Sequence, residues 1–170
     1  MKISILIPVV ALAVSFMAGC VCQEKAKEEK NKALIRADFE EVWNQGKLDV
    51  IDDIYDTNFI KHTPGIGSPD IHGPGGLKQS VNMFRTAFPD GQFMIEDQIT
   101  EGNKVVNHWI GSGTHEGELL GIPPTGIQLK WTGVAIYRFA DGKIVEVWIY
   151  SDIWNILKQF AVNPPIGQGE

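Results

Sequence analysis

The chain predicts an α+β fold, and three observations carry that prediction. Apolar residues recur at helical spacing in three segments of the N-terminal half. From Gln92 onward the period falls to two. Between two of the strand-like segments lies a run, residues 111–133, so dense in Gly, Pro and Thr that it reads as a loop. Three helices followed by an antiparallel meander of four to six strands must lie on one face of a curved sheet, and a pocket between the two layers is the expected outcome.

The first helix is predicted over 33–45, where Leu34, Ile35, Phe39, Val42 and Trp43 share one side and Gly46 supplies the C-terminal stop. A second, short helix follows over 48–55, with Leu48, Ile51, Ile54 and Tyr55 together. The segment 58–76 is rich in Gly and Pro, carries His62 and His72, and reads as a loop. Leu77, Val81, Phe84 and Phe88 then mark a third helix, stopped by Pro89. Strands are predicted over 92–100, 104–112, 127–139 and 143–150, with turns at Glu101-Gly102-Asn103 and Asp141-Gly142. A short terminal helix runs over 153–160, and the tail 163–170, with two Pro and two Gly, is expected to be disordered.

The N-terminus reads as export machinery. Met1-Lys2, an apolar run from Ile3 to Met17, and Ala18-Gly19-Cys20 give the three parts of a signal peptide over 1–19. Cys20 resembles the lipidated cysteine of a bacterial lipobox, although Met17 stands where leucine is commoner. The expectation is a chain lipid-anchored to a bacterial membrane in the cell envelope, with its domain outside the cytoplasm. Residues 20–32 then form a charged tether or the frayed start of a helix, and the domain proper spans 33–162. Cys22 is the only other cysteine, so the fold stands on its core without an internal disulfide. Five Trp, three Tyr and eight Phe suffice for one sizeable core. The net charge of −6 and the absence of a basic stripe argue against a nucleic-acid partner.

Among residues that could carry chemistry, Asp152 leads. It ends an apolar strand, two and four residues after Trp148 and Tyr150, and a carboxylate turned inward there would have the raised pKa of a general acid or base. Asp152 also stands where an N-cap of the terminal helix is needed, and the two roles are compatible. Trp109, Trp131, Trp148 and Tyr150 could line an apolar cavity or simply form core. His62, His108 and His115 are scattered, with no His-x-His or Cys-x-x-Cys spacing, so no metal is expected. No phosphate-binding glycine loop and no Gly-x-Ser-x-Gly occurs, and no cofactor is expected either.

Gly113-Thr114-His115-Glu116-Gly117, with Phe88-Pro89-Asp90 upstream and Asp141-Gly142-Lys143-Ile144-Val145-Glu146 through Trp148 to Asp152 downstream, resembles the SnoaL-like polyketide cyclase (ester cyclase) family, over roughly residues 33–160. The resemblance implies an NTF2-like cone, a sheet face that pairs into a homodimer, Asp152 as proton shuttle, and His115 and His62 near the pocket mouth. Two departures weaken it. His108 stands where relatives often have Arg, and Val147 where they often have His. Two functions follow. One is an ester cyclase-type enzyme performing cofactor-free, intramolecular aldol-type acid–base chemistry on a small apolar carbonyl compound. The other is a membrane-tethered module that binds a small apolar molecule without transforming it.

Overall fold

The computed structural model describes residues 6–64, 69–119 and 121–160, with side chains from Cys22 onward. The side chains of residues 1–21, over which the signal peptide and the lipidated Cys20 are expected, and the tail 163–170 fall outside the described residues. In chain order the elements are α1 (Leu6–Ala37), a π-helical continuation (Asp38–Asn44), α2 (Ile51–Ile54), β1 (Tyr55–His62), β2 (Ile71–His72), α3 (Gly73–Ala87), β3 (Gln92–Glu101), β4 (Lys104–Thr114), β5 (Gln128–Ala140), β6 (Lys143–Ser151) and α4 (Ile153–Gln159). Among the described residues no helix is long and apolar enough to cross a membrane.

The six strands form one mixed sheet in the order β2-β1-β6-β5-β4-β3, antiparallel except where β1 runs parallel to β6. Two predicted features change. The described residues hold four α-helices, and the third, α3, does not precede the sheet with the other N-terminal helices but follows β1 and β2. The segment 58–76 is not all loop: Tyr55-Asp56-Thr57-Asn58-Phe59-Ile60-Lys61-His62 is a strand whose inward residues Tyr55, Phe59 and Lys61 are buried. Its polar interruptions hide the alternation, and only pairing with β6, some 85 residues downstream, draws it into the sheet. The loop between β4 and β5 is also shorter than predicted, because pairing continues to Thr114↔Gln128.

The helical layer begins upstream of Ala33. Asn31 is buried, Glu28 accepts a hydrogen bond from the Gly102 amide at 2.8 Å, and the Gln98 side chain reaches the Lys32 carbonyl. The charged run therefore caps the β3–β4 turn instead of only linking the domain to its terminus. Asn44 closes the other end of this helix, exchanging two hydrogen bonds with the Phe93 backbone at 3.0 and 2.7 Å, as a paired strand would.

The concave face of the sheet carries Lys61, Val147, Tyr137 and Val105 in one row, Ile149, Ala135, Asn107 and Gln98 in the next, and Gly133 with Trp109, then Gly111 with Trp131, beyond. The two indoles lie flat over the opposite glycines: a Cβ on Gly133 would stand 2.3 Å from Trp109, and one on Gly111 2.5 Å from Trp131. Phe93 ties the layers together, its ring 4.7–6.0 Å from Phe39, Trp43, Phe84, Trp109 and Trp131. One half of the cone is thus packed with aromatic rings, and the polar groups gather in the other half.

Candidate active site

Asp38 is the only carboxylate in the buried core among the described residues, 0% exposed, at the junction where α1 passes into the π-helical segment. Its burial follows from helical spacing. Asn31, Ile35, Asp38 and Val42 fall on one stripe, and that stripe faces the sheet. The wider π turn is a form found often at functional sites. Neither carboxylate oxygen has an aligned hydrogen-bond partner. Desolvation pushes the Asp38 pKa up to about 7, against smaller downward pulls from the nearby Tyr55 hydroxyl, the Trp43 indole and the Lys61 charge.

Lys61 stands opposite, on the inner face of β1 and 9% exposed. Burial lowers its pKa to about 8, with the Asp38 charge working in the other direction. Its Nζ lies 5.2 Å from the Trp43 ring centroid, and no ion pair closes between it and Asp38. Burial also raises the Tyr55 and Tyr137 hydroxyls well above their ordinary range, with the neighbouring Asp38 charge adding to the effect. Further along the same face, Asn107 accepts from Gln98 at 3.0 Å, while its own Nδ2 and that of Asn31 are unpartnered. An acid, an amine, two phenols and two amide donors therefore share one desolvated region. A buried polar atom left unpaired costs about 1–3 kcal/mol, so several in one place mark a site built to receive polar atoms.

The sequence-predicted residues divide between the two faces. Trp109 and Trp131 point into the cone. Trp148 and Tyr150 do not: they share the convex face with Glu146, opposite Ile136 and Val134, and Tyr150 is half exposed. Asp152 has the same parity and is exposed, its Oδ1 accepting from the Asn155 amide at 3.0 Å as the N-cap of α4. The strand Ile144-Val145-Glu146-Val147-Trp148-Ile149-Tyr150 is apolar on both parities, so the period alone does not say which set faces inward. Val147 and Ile149 are the inward pair. Val147 sits between Lys61 and Tyr137.

His62 is also convex. Its ring stacks on Trp148 at 5.3 Å and lies between two carboxylates, Nδ1 to Asp70 and Nε2 to Glu146, each at 2.9 Å. Glu146 in turn holds Arg138 at 2.8 and 2.6 Å. Partial burial lowers the His62 pKa, but the Glu146 and Asp70 hydrogen bonds and charges outweigh it and raise it overall. Burial likewise works to raise Glu146, and the His62 and Arg138 contacts overcome it and lower it. This chain of ion pairs ties β1, β5 and β6 together on the outside of the sheet. His108 lies on the same convex face, bonded to Thr132 at 3.0 Å, at the rim of an open groove of about 540 Å³ that Ile110, Lys130, Trp131, Asn155 and Gln159 also line.

His115 is fully buried, and the Gly-Thr-His-x-Gly motif is a structural knot. Nδ1 meets Thr125 at 3.0 Å, the ring packs 4.7 Å from Phe160, and its backbone binds Thr125, Gly126 and Ile127, closing the loop from 115 to 127. Gly117 passes so near α3 that a Cβ would stand 2.4 Å from the Thr86 carbonyl. Asp90 of Phe-Pro-Asp receives both the Thr114 amide and hydroxyl at 2.7 Å, which lowers its pKa. Among the described residues no three His, Cys, Asp or Glu side chains converge as a metal site. Asp38, Lys61, Tyr55, Tyr137 and Asn107 were missed in the sequence, although Asp38 interrupting the stripe of Ile35 and Val42 was a readable signal.

Residues 33–160 match the family described as SnoaL-like polyketide cyclase. The chain is similar to the nogalonic acid methyl ester cyclase of Streptomyces nogalater, 29% identical over 75% of this chain and 95% of that one. It is also similar to the aklanonic acid methyl ester cyclase of Streptomyces peucetius, 24% identical over 76% and 90%. Among solved structures, IdmH of Streptomyces antibioticus superposes with a TM-score of 0.68 at 28% identity, covering 78% of this chain and 99% of its own. A SnoaL-like protein of Jannaschia sp. CCS1 gives a TM-score of 0.73 at 22% identity over 81% and 95%, a likeness of fold. A family match over residues 33–160, three quarters of its length, shows that this chain belongs to the SnoaL-like polyketide cyclase family.

Proposed function

We propose that the chain performs cofactor-free acid–base chemistry on a small apolar carbonyl compound inside its cone, with Asp38 as the proton carrier. The observation that carries this reading is the Asp38 carboxylate: fully buried, with the Tyr55 hydroxyl and the Trp43 indole beside it but neither oxygen in an aligned hydrogen bond, and shifted to about 7, where it can both take and return a proton at neutral pH. Asp38 removes a proton alpha to the carbonyl. The Lys61 ammonium and the phenol of Tyr55 or Tyr137 stabilise the enolate oxygen, and the enolate attacks a second carbonyl of the same molecule. The similarity to methyl ester cyclases supports an ester-bearing substrate.

Deuterium exchange at the alpha positions of phenylacetone, followed by proton NMR, tests the base. Asp38→Asn is expected to slow the enzyme-dependent rate by about a hundredfold or more. Asp152→Asn, which keeps an N-cap, leaves it unchanged. The wild-type rate climbs as pH passes through about 7 and Asp38 ionises. Equal rates in Asp38→Asn and wild type would refute the assignment. Ligand binding without any exchange favours the alternative, a binding module, a reading that the dense aromatic packing around Phe93 supports.

The N-terminal sequence supports a lipid anchor on Cys20, tethering the domain outside the cytoplasm. Mass spectrometry of the mature N-terminus is expected to find diacylated Cys20, and an unmodified chain starting elsewhere rules the anchor out.

A further inference from the structure

We propose that Lys61 is a covalent site: its amine captures a ketone or aldehyde in the cone as an iminium. A buried lysine in a protein interior is ordinarily paired, because an isolated ammonium out of water is costly. Lys61 is 9% exposed and, among the described residues, makes no hydrogen bond or ion pair, its Nζ standing 5.2 Å from the Trp43 ring centroid. Asp38 lies on the facing helix, close enough that each charge perturbs the other, but the two do not close into a salt bridge. A structural pair would close. An amine and a carboxyl are thus held apart on facing elements, with the small Val147 beside Lys61 on the sheet. Burial supports the chemistry by bringing the two groups to similar pKa values, about 8 and about 7, so that the neutral amine beside the protonated acid is a populated arrangement.

The reaction balances within the site. The Nζ lone pair forms a C–N bond to the carbonyl carbon, the C=O π pair moves to oxygen, and a proton shift from nitrogen to oxygen gives the neutral carbinolamine. The C–O bond then breaks as the Asp38 carboxylic acid gives its proton to the departing hydroxyl. The products are water, an iminium on Lys61 and the Asp38 carboxylate. That carboxylate is then the base beside an alpha carbon whose protons the iminium has made more acidic, so the inference deepens the proposed function and rests on Asp38 as proton carrier.

The test treats the full chain with phenylacetone and sodium cyanoborohydride, which reduces an iminium to a stable secondary amine, followed by proteolysis and mass spectrometry. Lys61 is expected to carry the adduct in a yield about tenfold or more above any exposed lysine. Lys61→Arg, which keeps the charge but has no amine nucleophile, should lose that selective adduct and with it most of the alpha exchange. Lysines labelled only in proportion to exposure, or no adduct on Lys61, overturn the proposal. If exchange persists in Lys61→Arg and vanishes in Asp38→Asn, the iminium is wrong while the acid–base reading stands. If wild type gives neither adduct nor exchange, both fall.

Discussion

Gly133→Val is expected to lower the melting midpoint by roughly 10 °C, equivalent to about 3 kcal/mol or more for a domain of this size. The first added carbon would stand 2.3 Å from the Trp109 ring and 2.7 Å from the Tyr150 carbonyl. Neither neighbour can yield cheaply. Tyr150 is held by β5–β6 pairing, and Trp109 is 5% exposed with its ring 5.3 Å from Phe93. Overpacking of this kind usually costs 1–3 kcal/mol, and contact with backbone places this case at the upper end. Circular dichroism melts of the single variant and of Gly133→Val with Trp109→Phe check the cause. The smaller ring should recover part of the loss, and an unchanged midpoint in the single variant would mean the indole moves aside.

Asp38 should make stability depend on pH in a direction opposite to that of a salt-bridged carboxylate. Its folded pKa is raised from 3.8 to about 7. Below the unfolded value both states hold the proton and the group costs nothing. As pH rises from about 4 the unfolded chain ionises while the folded one does not, so stability falls by about 1.4 kcal/mol per unit until folded Asp38 ionises too, near 7. The full loss approaches roughly 4 kcal/mol, less whatever attraction the Lys61 ammonium returns. Asp38→Asn removes this slope. Urea unfolding at pH 4.5 and pH 7.5 should therefore show the variant gaining on wild type by a few kcal/mol at the higher pH. A gap that stays constant with pH would show that Asp38 is ionised and paired in the folded state.

Much of the scaffold was legible. Period-two patterning placed the four long strands within two residues of their observed ends, because each has a buried parity and a defined turn. The turn at Asp141-Gly142 is the left-handed pair a two-residue hairpin requires, with φ of 49° and 79°. The motifs carried the family, and in the structure several of those motif residues hold the scaffold. His115, Gly117 and Asp90 lock a loop, and Asp152 caps a helix.

The amino-acid sequence by itself determined the α+β class, the order of most elements and the family resemblance, all of which depend on residues close along the chain. Only the tertiary structure decided which parity of β6 faces the cone, that Tyr55–His62 is a strand, and that Asp38, Lys61, Tyr55 and Tyr137 share one interior. The reason is physical. A strand apolar on both faces takes its orientation from what packs against it, and a pKa is set by burial and by charges brought from distant segments, neither of which exists until the helices close over the sheet.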